Sequence, residues 1–103
     1  MELIETPVFT RQVLAALSDE EYRALQLHLV GRPDAGVLIP GSGGLRKLRW
    51  RLPGRGKRSG ARVIYYWKSA VGQLFLLFLY PKNVRSDLSA TELRVLRQFV
   101  TGN

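Results

Sequence analysis

Apolar positions along the chain change period several times, and each change marks an element. Thr6-Pro7 places an N-cap before a proline at the first helical position, where the missing N–H costs nothing, and predicts a short helix through about Leu17. Residues 2–5 ahead of it read as a short strand. Ser18-Asp19-Glu20-Glu21 is a capping box with acids in the first turn, where the helix dipole favours them. Tyr22, Leu25, Leu29 and Val30 then recur at helical spacing until Gly31 and Pro33 stop the helix. Arg32 to Gly36 is turn chemistry, and Gly41-Ser42-Gly43-Gly44 reads as a flexible connection without apolar periodicity.

From Leu45 the period drops to two. Leu48, Trp50 and Leu52 share one strand face, and Lys47, Arg49 and Arg51 share the other. Pro53 to Gly60 is a hairpin-like loop, and Ala61 to Trp67 is β-branched and aromatic enough for the next strand. A turn near Ser69 to Gly72 leads to Leu74–Tyr80, an apolar run too short for a membrane and consistent with a central strand buried on both faces. Pro81 ends it. Ser89-Ala90-Thr91-Glu92 is a second capping box, followed by Leu93, Leu96, Phe99 and Val100 on one helical stripe. The predicted order is (β)ααβββα, an α+β fold in which an antiparallel meander has helices covering one face.

A chain of 103 residues supports one core and excludes a two-domain enzyme. The absence of Cys excludes disulfides, thiolate catalysis and a Cys-built zinc site. His28 is the single histidine; it lies at the edge of its helix's apolar stripe, with no second His or Cys to complete a metal site. Acids in Met1–Glu5, where a secretory signal carries positive charge, and the lack of any run near 20 apolar residues predict a cytoplasmic protein without a membrane partner.

Charge is unevenly spread. The net charge is +8, yet residues 1–34 hold three bases and six acids, while residues 87–103 hold two of each. The 52 residues between Asp34 and Asp87 carry eleven Lys and Arg and no acid. Charge runs are usually solvated faces, but a segment of one sign repels itself, and its lack of interspersed acids points to a polyanionic partner. Lys47, Arg49, Arg51 and, across the hairpin, Arg62 project together from strands about 4.8 Å apart. The loop bases Arg55, Lys57 and Arg58 are placed to close over a phosphate. Trp50 falls on the core face by parity; Trp67 fits either a core or a base-stacking platform.

The stretches LSDEEY (17–22), GGLRKLR (43–49), GKRSGARVIYY (56–66) and YPKN (80–83) together resemble the HigB branch of the RelE/ParE toxin superfamily, from about Ile4 to Phe99. The resemblance implies a RelE-like domain over residues 1–103, acting as the toxin of a type II toxin–antitoxin system. Such a toxin is an endoribonuclease that enters the ribosomal A site, cuts messenger RNA and so inhibits translation, with no metal or other cofactor. It also implies a neutralising antitoxin, HigA-like with a helix-turn-helix DNA-binding fold, and a toxin–antitoxin complex that binds operator DNA. Two cations on the first meander strand correspond to Lys47 and Arg49, and one at the start of the next strand to Arg62. Two positions depart from RelE: Lys82-Asn83 stands where a further Arg follows the last strand, and Ser89 falls near a C-terminal tyrosine. ParE relatives share the scaffold and poison DNA gyrase without cutting RNA, so gyrase inhibition, or nucleic-acid binding without catalysis, is the alternative. The clustered strand cations tilt the choice toward RNA.

Metal-free RNA cleavage needs the 2′-OH deprotonated, the phosphorane stabilised and the 5′-oxygen protonated. Arg62 is the expected ligand of the scissile phosphate, with Arg49 as its companion. Lys47 or Lys57 is the expected base and Lys82 the acid, with Arg46, Arg51, Arg55, Arg58, Asn83 and Arg85 contacting RNA. A lysine makes an imperfect base even among other cations, so cleavage is expected to depend on positioning by the ribosome.

Overall fold

The computed structural model describes residues 1–52, 60–85 and 87–101. Its elements are β1 (Glu2–Glu5), α1 (Pro7–Ala16), α2 (Asp19–Gly31), β2 (Val37–Leu38), β3 (Arg46–Arg51), β4 (Gly60–Lys68), β5 (Gln73–Pro81) and α3 (Ala90–Thr101), with a 3-10 turn at Ser69–Val71. They form an α+β fold around a mixed five-stranded sheet of order β1-β5-β4-β3-β2. The segment β3-β4-β5 is the expected antiparallel meander, and β1 adds to β5 in parallel.

Both N-terminal helices start as their sequences dictate. Thr6 Oγ1 accepts from the Phe9 N–H at 3.0 Å, and the same hydroxyl donates to the Leu77 carbonyl at 2.9 Å. One buried side chain thus caps α1 and ties it to β5. At α2 the capping box is complete, with Ser18 Oγ accepting from the Glu21 N–H and Glu21 Oε1 accepting from the Ser18 N–H. Phe9, Val13, Leu25 and Leu29 bury their side chains against Leu48, Val63, Tyr65, Leu74, Leu76 and Leu79.

The expectation that helices cover one face is corrected. Leu96 and Val100 of α3 pack with Leu45, Ile64, Leu77 and Tyr80 on the opposite face. A central strand apolar on both sides needs cover on both, and α3 supplies the second layer. The two faces of β5 are set by a bulge: Tyr65 pairs with Leu76 and Ile64 with Phe78, so Leu77 is skipped. Beyond it the alternation reverses, so Leu76 and Leu79 face α1 and α2 while Leu77 and Tyr80 face α3.

One element is added and one expectation changes. Strand β2 adds an element between the Arg32–Gly36 turn and the Gly41–Gly44 connection; it has two residues, both exposed, pairing Val37 with Lys47 and Leu38 with Arg46. The Gly41–Gly44 stretch is an ordered turn in which the buried Ser42 Oγ donates to the Ile39 carbonyl at 2.7 Å and accepts from the Leu45 N–H at 3.0 Å. Gly41, Gly43 and Gly44 have positive φ, which explains three glycines around one serine. Arg97 of α3 donates from Nε to the Gly43 carbonyl at 2.8 Å and lies over the Tyr66 ring, fastening the turn to the helix.

Helix α3 begins with the second capping box: Ser89 Oγ accepts from the Glu92 N–H at 3.1 Å, and Glu92 Oε1 accepts from the Ser89 N–H at 2.8 Å. Glu92 also pairs with Arg85, and these bonds hold its carboxyl at about 2, with the Arg85 hydrogen bond the largest cause. Because the folded value lies below the ordinary 4.5, the stabilisation is complete above that pH and disappears as pH falls toward 2. Denaturant melts at stepped pH are therefore expected to show the advantage of wild type over Glu92→Gln shrinking through that window. Thr6→Val removes both the cap of α1 and the donor to Leu77, and a loss of about 1–3 kcal/mol is expected in the same denaturation assay.

A candidate nucleic-acid interface on the sheet

Strand pairing builds the site from β3, β4 and β5. Arg49 lies opposite Arg62 across β3 and β4, and Arg62 lies opposite Tyr80 across β4 and β5, so the three occupy one row on the α3 side of the sheet. The neighbouring row is Lys47, Ile64 and Phe78. Arg51 pairs with Gly60, whose carbonyl accepts from the Lys82 N–H at 3.0 Å, which brings Lys82 next to that end of the hairpin. Lys47, Arg49, Arg51, Arg62 and Lys82 are therefore neighbours in the fold although the first and last lie 35 positions apart in the sequence.

Arg62 is the most constrained of these cations. It is only 9% exposed, and its cross-strand neighbour on β3 is another arginine. Desolvating a guanidinium beside a like charge is unfavourable, so the arrangement persists on the strength of the surrounding fold. Tyr80, on its other side, is buried, and burial is the largest influence raising the pKa of its hydroxyl. Asp87 pushes in the same direction, while Arg62 and Arg85 oppose. The result is a neutral phenol facing the cations. Arg85 places its guanidinium carbon 5.8 Å from the Tyr80 ring centroid while pairing with Glu92.

Lys47 is not a bare ammonium. Its Nζ donates to Asp87 Oδ1 at 2.5 Å, with the lysine side chain 25% and the aspartate 69% exposed. Lys47, Asp87 and Tyr80 line a cleft of about 350 Å³, whose apolar wall includes Ile39, Ile64 and Leu93. A second cleft, of about 540 Å³, lies between β3 and α2 and is lined by the β3 residues Arg49, Trp50 and Arg51 together with Glu20, Glu21 and His28. There the His28 and Trp50 rings stand 5.4 Å apart, and Trp50 packs against the core as its parity predicts. Trp67 also packs against that core. By strand parity Lys47, Arg49, Arg51 and Arg62 thus share one sheet face, while the two clefts lie on opposite sides of β3.

Other expected contacts fall elsewhere. Arg46 was expected to contact RNA; instead its Nη1 donates to the carbonyls of Asp34 and Gly36 at 3.2 and 2.8 Å, bracing the 32–36 turn. It has the parity of Leu48 and Trp50, which turns it away from Lys47 and Arg49. That turn is also held by Tyr65, whose hydroxyl accepts from the Gly36 N–H and donates to the Pro33 carbonyl. Asn83 is exposed in the turn after β5. Arg55, Lys57 and Arg58 lie outside the described residues. Sequence reasoning missed Tyr80, which it absorbed into an apolar run, and Asp87, which it used only as a boundary.

Comparison with known proteins accords with this architecture. The chain is similar in structure to a double arginine-to-alanine mutant of the E. coli toxin RelE in the free state, with a TM-score of 0.61 and 14% sequence identity. The match covers 93% of this chain and 95% of that one. Residues 6–102 match the family model described as the RelE toxin of the RelE/RelB toxin–antitoxin system. A basic sheet face carried on this fold, and a family match over nearly the whole chain, place the protein in the RelE toxin family.

Proposed function

We propose that this toxin is a metal-independent endoribonuclease that cuts messenger RNA in the ribosomal A site and thereby inhibits translation in the cytoplasm. The observation that carries the reading is the cross-strand row of Arg49, Arg62 and Tyr80, with Arg62 almost wholly buried and a second arginine opposite it. A dianionic phosphorane in that position satisfies both arginines at once, so the charge arrangement that strains the free protein becomes favourable in the transition state.

In this mechanism the 2′-oxygen attacks phosphorus while the bond to the 5′-oxygen breaks, leaving a 2′,3′-cyclic phosphate and a 5′-hydroxyl. Arg62 and Arg49 hold the non-bridging oxygens. Lys47 or Lys57 takes the 2′ proton, and Lys82 returns a proton to the 5′-oxygen. Tyr80, kept neutral by its surroundings, donates a hydrogen bond to the same phosphate. Arg51, Arg55, Arg58, Asn83 and Arg85 are the proposed contacts with flanking nucleotides. Lys47 begins in an ion pair with Asp87, so the free protein does not hold it in a geometry directed at a 2′-oxygen, and this fits an enzyme that acts only when the ribosome presents the strand.

The proposed partners follow the same reading: the ribosome with its messenger RNA, and an antitoxin of the HigA-like helix-turn-helix type, whose complex with the toxin binds operator DNA. The net charge of +8 favours electrostatically steered capture by an acidic or amphipathic antitoxin segment. Among the described residues no helix is long and apolar enough to cross a membrane.

A second reading, inhibition of DNA gyrase or nucleic-acid binding without chemistry, draws on the division of the cations between two clefts. Induction in cells with mapping of transcript 5′ ends separates the two. Wild type is expected to generate new ends within translated regions, and Arg62→Ala to lower their yield by about 100-fold or more. Cleavage of free RNA at the same rate, undiminished toxicity of Arg62→Ala, or blocked supercoiling by purified gyrase would count against the nuclease.

A further inference from the structure

The acid-free stretch of the sequence ends at Asp87, and the chain then folds that first acid back onto the stretch it terminates. Its Oδ1 meets Lys47 Nζ at 2.5 Å across 40 residues of sequence. The other acid on this side of α3, Glu92, is committed to Arg85 and to the Ser89 N–H. Resting on the nuclease reading above, we propose that the Asp87 carboxylate occupies, in the free protein, the place that a backbone phosphate of the RNA substrate takes beside Lys47. Binding of the strand then exchanges one anion for another.

Geometry and charge both support this. The lysine is the deeper partner and the aspartate the exposed one, so the carboxylate sits at the mouth of the cleft with solvent behind it. The cations facing it are those a phosphate would face: Lys47 foremost, then Arg62 and Arg49, which together hold the Asp87 carboxyl below the usual range. Tyr80 lines the same cleft and also feels the Asp87 charge. An exposed ion pair contributes little to stability, so a competing anion displaces it at small cost to the fold.

The exchange also selects among polyanions. A carboxylate tethered to the same chain acts at a high effective concentration, on the order of millimolar for a short flexible tether. A lone phosphate competes poorly with that, whereas a strand anchored at several other cations brings its phosphate at comparable effective concentration. Asp87 is therefore a specificity-determining residue, rejecting short anions in favour of an extended strand.

The test is equilibrium binding of a fluorescent hexaribonucleotide whose 2′-O-methyl groups prevent cleavage, using the full chain. Asp87→Asn and Asp87→Ala are expected to bind it about 3- to 10-fold tighter than wild type. Inorganic phosphate, titrated as competitor, is expected to displace the strand's label more readily from those variants. In a Lys47→Gln background the same substitutions are expected to gain less than about 2-fold, showing that the effect runs through the lysine. Glu2→Gln, the same charge change on the far edge strand, is the control for net charge and is expected to shift binding by less than about 2-fold. An unchanged or weaker affinity of the Asp87 variants, a gain that persists without Lys47, or a gain matched by Glu2→Gln overturns the inference. So does loss of ribosome-dependent cleavage by Asp87→Asn at unaltered affinity, which would assign Asp87 to the chemistry. If wild type binds and cuts but the variants bind no tighter, this inference alone falls. If folded wild type and variants all fail to bind and wild type generates no new transcript ends on induction, the nuclease reading falls with it.

Discussion

Strand β5 must be buried twice, and most of the architecture answers to that constraint. Its apolar side chains occupy both faces, so neither a lone meander nor a single helical layer could shelter it. Helices α1 and α2 close one side and α3 the other, while β1 and β4 satisfy its backbone on both edges. Thr6 joins these solutions, since its hydroxyl caps a helix and bonds to the central strand simultaneously. The rigid centre leaves β3, toward the sheet's other edge, as the strand that carries exposed charge.

Much of this was readable from the residues. Both capping boxes and the Thr6-Pro7 start follow from side chains that hydrogen-bond to their own backbone, which makes them local and visible in sequence. The alternation in β3 placed Lys47, Arg49 and Arg51 on one face for the same reason. What escaped depended on distant partners. Strand β2 consists of two exposed residues whose only signal is pairing with β3. The glycines around Ser42 looked slack because their positive φ values make sense only once the buried serine is seen bridging the turn. Arg46 is a different kind of miss, since parity with Leu48 already separated it from its basic neighbours.

The site shows the same division. That cations would cluster was implied by composition, because eleven bases without an acid must crowd somewhere on a small fold. Which of them would be buried, and what would stand beside them, was not. Arg62 acquires its character from Arg49 and Tyr80, residues on two other strands, and Lys47 from an aspartate beyond the sheet. Electrostatic character here is a property of register and loop path, and neither is written in any short window of sequence.

The irregularity at Leu77 governs one of those registers. A strand that alternated without interruption would turn Leu79 toward α3 and Tyr80 into the core beneath α1 and α2, leaving Arg62 with a leucine for a neighbour. One extra residue in β5 thus decides whether the guanidinium row ends in a phenol or a hydrocarbon. Removing Leu77 itself would leave Tyr80 opposite Arg62, whereas pairing the same residues straight through would put Leu79 there, so the chemistry of the face hangs on the chain bulging at that residue.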